Sequence, residues 1–404
     1  ELHRQLNELE RSDKAAEAVP SSIRAKLAPD DFDVPLQATA CRALDTCLRG
    51  AKALAVLGDG RAFGLLIQLS REENVPARVE VCRALAALGD PRAVARLRSL
   101  LFDADASVRD AAYTALAKIE AGQPLDVAGA GLRAGAEDVR RRGLQTLVET
   151  LRKSPTQPGL DLLAFALNDS ATGVRSEAWK AARNLNVGGS DEGTLRFALR
   201  SVHADVRREV LNEAIGRPNE TWSTPLLHEF LNDPESALRR EAFEFATKKT
   251  KELAPLEAAL GSRFPDARRL AIDALEKKKT KPAQVLLAKS LHDPDRELRQ
   301  LALSVLVDAD AIPVLKEAAA NEHADVRVRA ATALAKHGDP DALRPLLDLA
   351  TAPEPTEKEK VPTWVANAEA ALQGLAELGD AAAVAPVRWL LASPHAGVRK
   401  AAAE

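Results

Sequence analysis

Residues Pro91 to Glu120 read PRAVARLRSLLFDADASVRDAAYTALAKIE. Val94, Leu97 and Leu100 put one apolar stripe on a first helix, and Val108, Ala111, Ala112, Ala115 and Leu116 do the same for a second. Asp103 and Asp105 break the run between them, where an acidic side chain accepts from the free N–H groups of the helix that follows. Two short helices with one apolar face each cannot bury those faces alone, so the unit has to stack on others like it.

The same pattern returns along the chain. Arg78, Arg109, Arg140, Arg175, Arg207, Arg239, Arg268, Arg299, Arg327 and Arg399 each follow Val, Leu or Ala and open a run of small or apolar residues at helical spacing. Through Arg327 the shortest interval is 28 residues, Arg299 to Arg327, and the longest is 35, Arg140 to Arg175. The next interval, Arg327 to Arg399, is 72 residues and leaves room for one divergent unit around Trp364 to Leu378. The reading is an all-α fold, an alpha-alpha superhelix of about twelve helix pairs. The array occupies 36–404 and follows an atypical N-terminal helical cap and loop at 1–35.

Gly58-Asp59, Gly89-Asp90-Pro91, Gly338-Asp339-Pro340 and Gly379-Asp380 read as helix stops, since glycine takes the left-handed turn that ends a helix and proline suits the start of the next. Less regular junctions are expected at Arg217 to Glu220 and Lys277 to Pro282. The insertion TAPEPTEKEKVPT at 351–363, with three prolines and alternating charges, is expected to be an exposed, mobile loop. After Lys400 only AAAE remains, so the last second helix is expected to be too short to form well and the natural chain to continue. The start at Glu1 and the absence of Met point the same way, to a processed product or a part of a longer chain.

Aromatic residues make up only 3% of the 404, and alanine and leucine fill the apolar positions, which suits close stacking of short helices better than a deep ligand cavity. The formal net charge of -3 weighs against a nucleic-acid binder, which normally shows a basic excess. Cys41, Cys47 and Cys82 form no CxxC pair and read as reduced thiols. No apolar run reaches the length that crosses a bilayer, and no signal-peptide core opens the chain, so a cytoplasmic protein without membrane contact is expected.

An acidic or small turn residue, then Val-Arg, then an Ala-rich second helix resembles the HEAT-repeat superfamily, in particular the short bacterial and archaeal HEAT-like, or phycobilisome-lyase-like, repeats. Asp103 and Arg109, Asp169 and Arg175, Asp233 and Arg239, and Asp293 and Arg299 share one offset, and Ser201, Ser262, Asn321 and Ser393 take the turn position in other units. The resemblance spans about Leu36 to Lys400. It implies a right-handed superhelix with second helices on the inner surface, and a ladder in which each turn Asp meets an Arg of its own or the adjoining repeat. The chemistry supports such a ladder independently: a guanidinium pairs with a carboxylate through two parallel hydrogen bonds while its stem covers apolar surface.

Little in the sequence points to catalysis. His203, His323 and His395 sit in SVHADVR, NEHADVR and SPHAGVR, with His292 in a related turn, and read as turn residues of separate units rather than metal ligands. His228 and His337 are isolated, and no Gly-rich phosphate loop or nucleophile elbow is present. The resemblance brings in bilin lyases, but Cys41, Cys47 and Cys82 make no evident catalytic pair. It also brings in HEAT-like DNA glycosylases, whose aromatic cleft is not matched by the scattered Trp179, Trp222, Trp364 and Trp389.

Basic clusters carry more weight. Arg140, Arg141 and Arg142 open one second helix, Lys248, Lys249 and Lys251 close another, and Lys277, Lys278, Lys279 and Lys281 follow one repeat later. Glu252, Asp266, Asp273 and Glu276 interrupt that neighbourhood. The expectation is a non-enzymatic scaffold or binding module, without cofactor or metal, whose partner is a protein or another domain of a longer chain. Binding of nucleic acid through the basic clusters is the alternative, and after it a bilin-lyase-related enzyme or enzyme partner, which the resemblance implies. Trp222 is the expected anchor, and Trp179, in SEAWKAA, is expected in the core.

Overall fold

Asn74 caps a helix by accepting from the Ala77 N–H, Pro76 fills its first turn, and Gly89 ends it at a φ of 68°. The next residue, Asp90, accepts from the Arg92 N–H and starts the following turn over Pro91–Ala93. The same Gly-Asp device recurs with φ of 66° at Gly338 and 67° at Gly379, and Asp339 and Asp380 accept from the residue two places on. Where glycine is missing, Asn186, Lys279 and Asp310 take the left-handed turn instead, at φ of 48°, 47° and 46°. Lys279 lies in the junction expected to be irregular.

This computed structural model describes residues 44–249 and 252–404, without the side chain of Lys249. The expected cap at 1–35, Cys41 and Lys251 lie outside the described residues. Contacts divide the chain into Glu1–Val210 and Leu211–Glu404. The first unit holds α1 (Leu44–Leu57), α2 (Ala62–Leu69), α3 (Val75–Leu88), α4 (Val94–Leu100), α5 (Ala106–Ile119), α6 (Pro124–Leu132), α7 (Glu137–Lys153), α8 (Gln157–Ala166), α9 (Thr172–Leu185) and α10 (Asp191–Leu199). The division falls inside α11 (Ala204–Gly216). The second unit continues with α12 (Ser223–Phe230), α13 (Ser236–Lys249), α14 (Ala254–Leu260), α15 (Pro265–Lys278), α16 (Lys281–Ala288), α17 (Arg296–Asp308), α18 (Ile312–Ala318), α19 (Ala324–Lys336), α20 (Leu343–Ala350), α21 (Val361–Leu378), α22 (Val384–Val387) and α23 (Ala396–Ala403).

Within each unit the chain is a two-layered stack. Odd-numbered helices of the first unit pack on one another, α1 on α3, α3 on α5, α5 on α7 and α7 on α9, while α6 packs on α8 in the other layer. The second unit repeats this with α13 on α15, α15 on α17, α17 on α19, α19 on α21 and α21 on α23. Between the layers lies an aliphatic core. In the opening stretch Leu97, Leu101, Val108, Ala112 and Leu116 are all buried, and each Leu or Val so placed stabilises the fold by about 1.5–3 kcal/mol.

Two expectations about the C-terminal end change. α21 begins at Val361, so the last residues of the expected loop form a helix whose first turn accommodates Pro362. The rest of the loop is largely exposed, as expected, and Trp364 Nε1 donates to the Ala352 carbonyl at its start at 3.1 Å. The final second helix, expected to be too short, is helical over Ala396–Ala403, because burial of Val398 and Ala401 anchors it.

The ladder arginines face two ways. Nη1 reaches back to carbonyls of the same turn, from Arg109 to Asp103 and Ala104 at 2.8 and 2.9 Å and from Arg239 to Asp233 and Pro234 at 2.6 and 2.9 Å. The other edge of the guanidinium reaches forward to a carboxylate of the next repeat. Arg78 meets Asp103, Arg109 meets Asp138, Arg140 meets Asp169, Arg175 meets Asp205, Arg239 meets Asp266, Arg268 meets Asp293, and Arg299 meets Asp325. The carboxylate of Asp103 thus serves the repeat before it, while Arg109 takes only its main-chain oxygen.

The accepting Asp alternates between two positions. It stands in the turn at Asp103, Asp169 and Asp293, where the carboxylate also accepts from Asp105, Ala171 and Asp295 N–H. Where the turn holds Ala134, Ser201, Ser262 or Asn321, an Asp in the first turn of the second helix replaces it: Asp138, Asp205, Asp266 or Asp325. Burial alone pushes the carboxyls of Asp138, Asp205 and Asp325 up. Hydrogen bonds from Arg109 to the first, from Arg175 to the second, and from Gln300 and Arg299 to the third outweigh burial and hold all three below the ordinary carboxylate range.

Candidate interaction surfaces

α6 reads PLDVAGAGL, and its Gly131 meets Gly143 of α7. A Cβ on Gly143 would stand 2.6 Å from the Leu132 nitrogen and 2.9 Å from the Ala128 oxygen, and one on Gly131 would stand 2.8 Å from the Gly143 Cα. The two backbones therefore touch, as only glycine allows. Drawn onto α7, α6 leaves a groove of about 650 Å³ between its neighbours α4 and α8.

Gly129 and Ala130 floor this groove, Leu125 and Leu162 line it, and Phe102 and Phe165 stand at its edges. Phe102 is 62% exposed and Phe165 47%, large values for aromatic rings in a chain with so few. Phe102 lies over Gly135, where a Cβ would meet its ring at 3.5 Å. The Arg133 guanidinium lies 5.8 Å from the Phe165 ring centre and donates to the Gly129 carbonyl at 3.1 Å.

Charge along the groove is ordered. At the C-terminal end of α6, exposed Arg133 has no carboxylate partner among the described residues, whereas Arg98 is tied to Glu120 at 3.1 Å. Toward the N-terminal end stand Asp126, in the first turn of α6, and Asp161, which accepts from the Gln157 side-chain amide at 2.8 Å. The lining is mixed, with apolar side chains between Arg133 at one end and the carboxylates of Asp126 and Asp161 toward the other.

The expected anchor is misplaced. Trp222 is 6% exposed, buried just ahead of α12 with Arg217 5.9 Å from its ring centre, because the indole fills the core at this irregular junction. Trp179 is buried in α9, as its place on a second helix predicts, and the exposed tryptophan is Trp389 at 57%. Phe102 and Phe165 were legible as aromatic residues at first-helix ends flanking a Gly-Ala-Gly helix; the contact that opens the groove lies across two helices and leaves no local motif.

The lysine clusters come together in part. Lys248 and Lys277 occupy equivalent places behind Arg239 and Arg268 on the adjacent helices α13 and α15, and both are exposed, as are Lys279 and Lys281. Lys278 is half-buried. One helical turn before Lys248 and Lys277 stand Glu244 and Asp273, so the shared face alternates in sign rather than running as one cationic row.

Two histidines expected in separate turns converge. His292 Nδ1 lies 3.1 Å and His323 Nε2 3.7 Å from Glu322 Oε1, since stacking brings equivalent turns of adjacent repeats side by side. Among the described residues no group of three His, Cys, Asp or Glu side chains is placed to hold a metal ion. His395 Nε2 stands 3.2 Å from Glu354 Oε1 without hydrogen-bond alignment, its ring edge-on to Trp364 at 5.5 Å, and this joins the 351–360 loop to the last helix pair. His228 has a buried Nε2 with no partner, and burial holds its pKa below the usual histidine value. Cys82 is fully buried, and its thiol is pushed up to about 12. No described helix is long and apolar enough to cross a membrane.

Residues 64–148 and 283–361 match the family of HEAT repeats. The chain carries HEAT repeats. The first match contains Phe102, Gly131, Arg133 and Gly143, so most of the groove is built from HEAT-repeat elements. No curated protein sequence matches the chain. It is similar to the solved structure of an engineered protein, at 21% identity, with 92% of this chain and 97% of that chain covered and a TM-score of 0.24. A structure concerned with a phosphorylation switch in the interaction between cadherin and β-catenin is 16% identical, with 91% and 98% covered and a TM-score of 0.33. One concerned with Kap95p binding to RanGDP is 13% identical, with 90% of this chain but 52% of that chain covered and a TM-score of 0.29. Scores this low leave the fold assignment resting on the helix pairs and the HEAT matches.

Proposed function

We propose that this HEAT-repeat chain is a non-catalytic scaffold that recognises a protein partner, and that the groove over α6 is its principal docking surface. The observation that carries the reading is the pair of exposed rings, Phe102 and Phe165, at the edges of one depression lined by apolar and charged side chains. Water-exposed aromatic rings grouped around a concave surface are what protein interfaces use as anchors. The groove is too open to enclose a small molecule to the extent that such sites require. The ladder residues are engaged in joining repeats, which leaves them to hold the surface rather than to react.

Interfaces of ordinary stability bury about 800 Å² per partner, so contact is expected to extend from the groove onto neighbouring first helices. The test is affinity capture with the wild-type chain and with the Phe102→Ala, Phe165→Ala double variant, followed by titration of each purified candidate. A partner that binds the wild type and loses most of its affinity for the variant supports the reading; undiminished binding of every partner overturns it.

The second reading, nucleic-acid binding, is favoured by the equivalent placement of exposed Lys248 and Lys277 on adjacent helices. Gel shifts over a salt series decide it: submicromolar binding at about 0.15 M salt, with a slope reduced by neutralising the lysines, would displace the protein-partner reading.

A further inference from the structure

Resting on that reading, we infer that the partner segment held by the groove is an amphipathic α-helix laid antiparallel to α6, with acidic residues in its first turn and basic residues in its last. The floor is Gly129 and Ala130, with the Arg133 guanidinium and Leu162 lying over Gly129, so a guest seats on those two side chains with the rings of Phe102 and Phe165 flanking it. α6 has nine residues, which at 1.5 Å each gives a bed of about 14 Å, or two to three turns of guest helix. Side chains on one face of such a helix, three and four apart, present a continuous apolar stripe to the lining Leu125 and Leu162.

Charge fixes the direction. Arg133, unpaired with any carboxylate among the described residues, awaits an acidic group at the C-terminal end of α6, while Asp126 and Asp161 await a basic group toward the other end. Helices themselves favour acidic residues in the first turn and basic residues in the last. A guest that satisfies both its own dipole and the groove therefore runs opposite to α6, which also sets the two helix dipoles antiparallel. An extended guest fits less well. Among the described residues there is no strand whose edge could accept one.

The probe is a fluorescein-labelled peptide of about 16 residues, long enough to sustain a helix, with Leu at i, i+3, i+4 and i+7, Glu in the first turn and Lys in the last. Its comparison has the same composition with Lys first and Glu last, and a third peptide carries two central prolines. Fluorescence anisotropy against the full chain should show the Glu-first peptide binding about tenfold more tightly than the Lys-first one. That preference should be lost or reversed in Arg133→Glu, and binding itself should fall about tenfold or more in the Phe102→Ala, Phe165→Ala variant. Both changes fall on exposed side chains, and circular dichroism checks that the helices persist. Equal binding of the Glu-first and Lys-first peptides, preferential binding of the proline peptide, or indifference to Arg133→Glu overturns the inference. If peptide order has no effect while a captured partner still needs Phe102 and Phe165, the helix assignment falls and the scaffold reading stands; if no captured partner needs those residues, the scaffold reading itself falls.

Discussion

Arg268 of one repeat and Asp293 of the next are joined by two parallel hydrogen bonds, Nε to Oδ2 at 2.7 Å and Nη2 to Oδ1 at 3.0 Å, with both side chains almost fully buried. The same guanidinium donates to the Ser262 carbonyl of its own turn at 3.0 Å. One side chain therefore fixes the turn within its repeat and the spacing to the next.

Removing one member of that pair leaves the other buried and charged without a counter-ion. Asp293→Ala is expected to cost about 3–5 kcal/mol, read as lost amide-exchange protection concentrated in α15 to α17 because a repeat array unfolds locally. The exposed pair Arg344–Asp348 provides the contrast, and Asp348→Ala should leave protection unchanged. Equal protection in the two variants would remove the ladder from the account of stability.

Gly143 tests the backbone contact beneath the groove. Gly143→Ala places a methyl group against main-chain atoms of α6, which no rotamer change relieves. The expected loss is about 1–3 kcal/mol or more, with a local shift of α6 that also weakens binding at Phe102 and Phe165. Gly64 in α2 has open space at its Cβ, and Gly64→Ala should instead stabilise by about 0.5–1 kcal/mol through helix propensity. Thermal melts of the two variants should move in opposite directions.

Acid should act in two stages. His228 has a folded pKa below the 6.5 of the free side chain, so the unfolded chain takes up its proton first and stability falls as the pH drops below that value. Asp138, Asp205 and Asp325 have folded pKa values below the usual 3.8. Their contribution is complete above roughly pH 5 and is lost through pH 4 and below, by the same linkage. Melting temperature against pH should show both limbs. His228→Gln should flatten the upper limb alone and Asp325→Asn should make the lower one shallower; identical profiles for the two variants would contradict the assignment.

Cys82 should be chemically silent in the folded chain. With its thiol buried and pushed up to about 12, almost no thiolate exists at pH 8. A maleimide reagent should label this residue only after denaturant is added, as peptide mapping would read. Rapid labelling under native conditions would show that the α3 core opens.

The spacing of Arg78 through Arg399 made the helix pairs legible because each repeat carries its own start, stop and apolar stripe within a few residues. Gly89, Gly338 and Gly379 act locally, and their turns could be read directly. The forward pairing of Arg109 with Asp138 could not, since it depends on which edge of a guanidinium faces the next repeat. Nor could the fate of Trp222, whose neighbours in sequence do not reveal that its indole is inside. The groove was hidden for a related reason. Gly131 and Gly143 are ordinary residues until two helices are brought into contact, and only then do Phe102 and Phe165 become edges of one surface.

On the reading proposed, the surface over α6 recognises a protein. The most direct measurement replaces Phe102, Phe165 or the exposed Val285 of α16 with a photo-crosslinking amino acid, one at a time, and identifies the adducts after irradiation in the native lysate. The Phe102 and Phe165 positions should capture the same protein through one helical segment, and the Val285 position should not. Capture of that protein at Val285 with none at either phenylalanine position, or different proteins at Phe102 and Phe165, would contradict that reading.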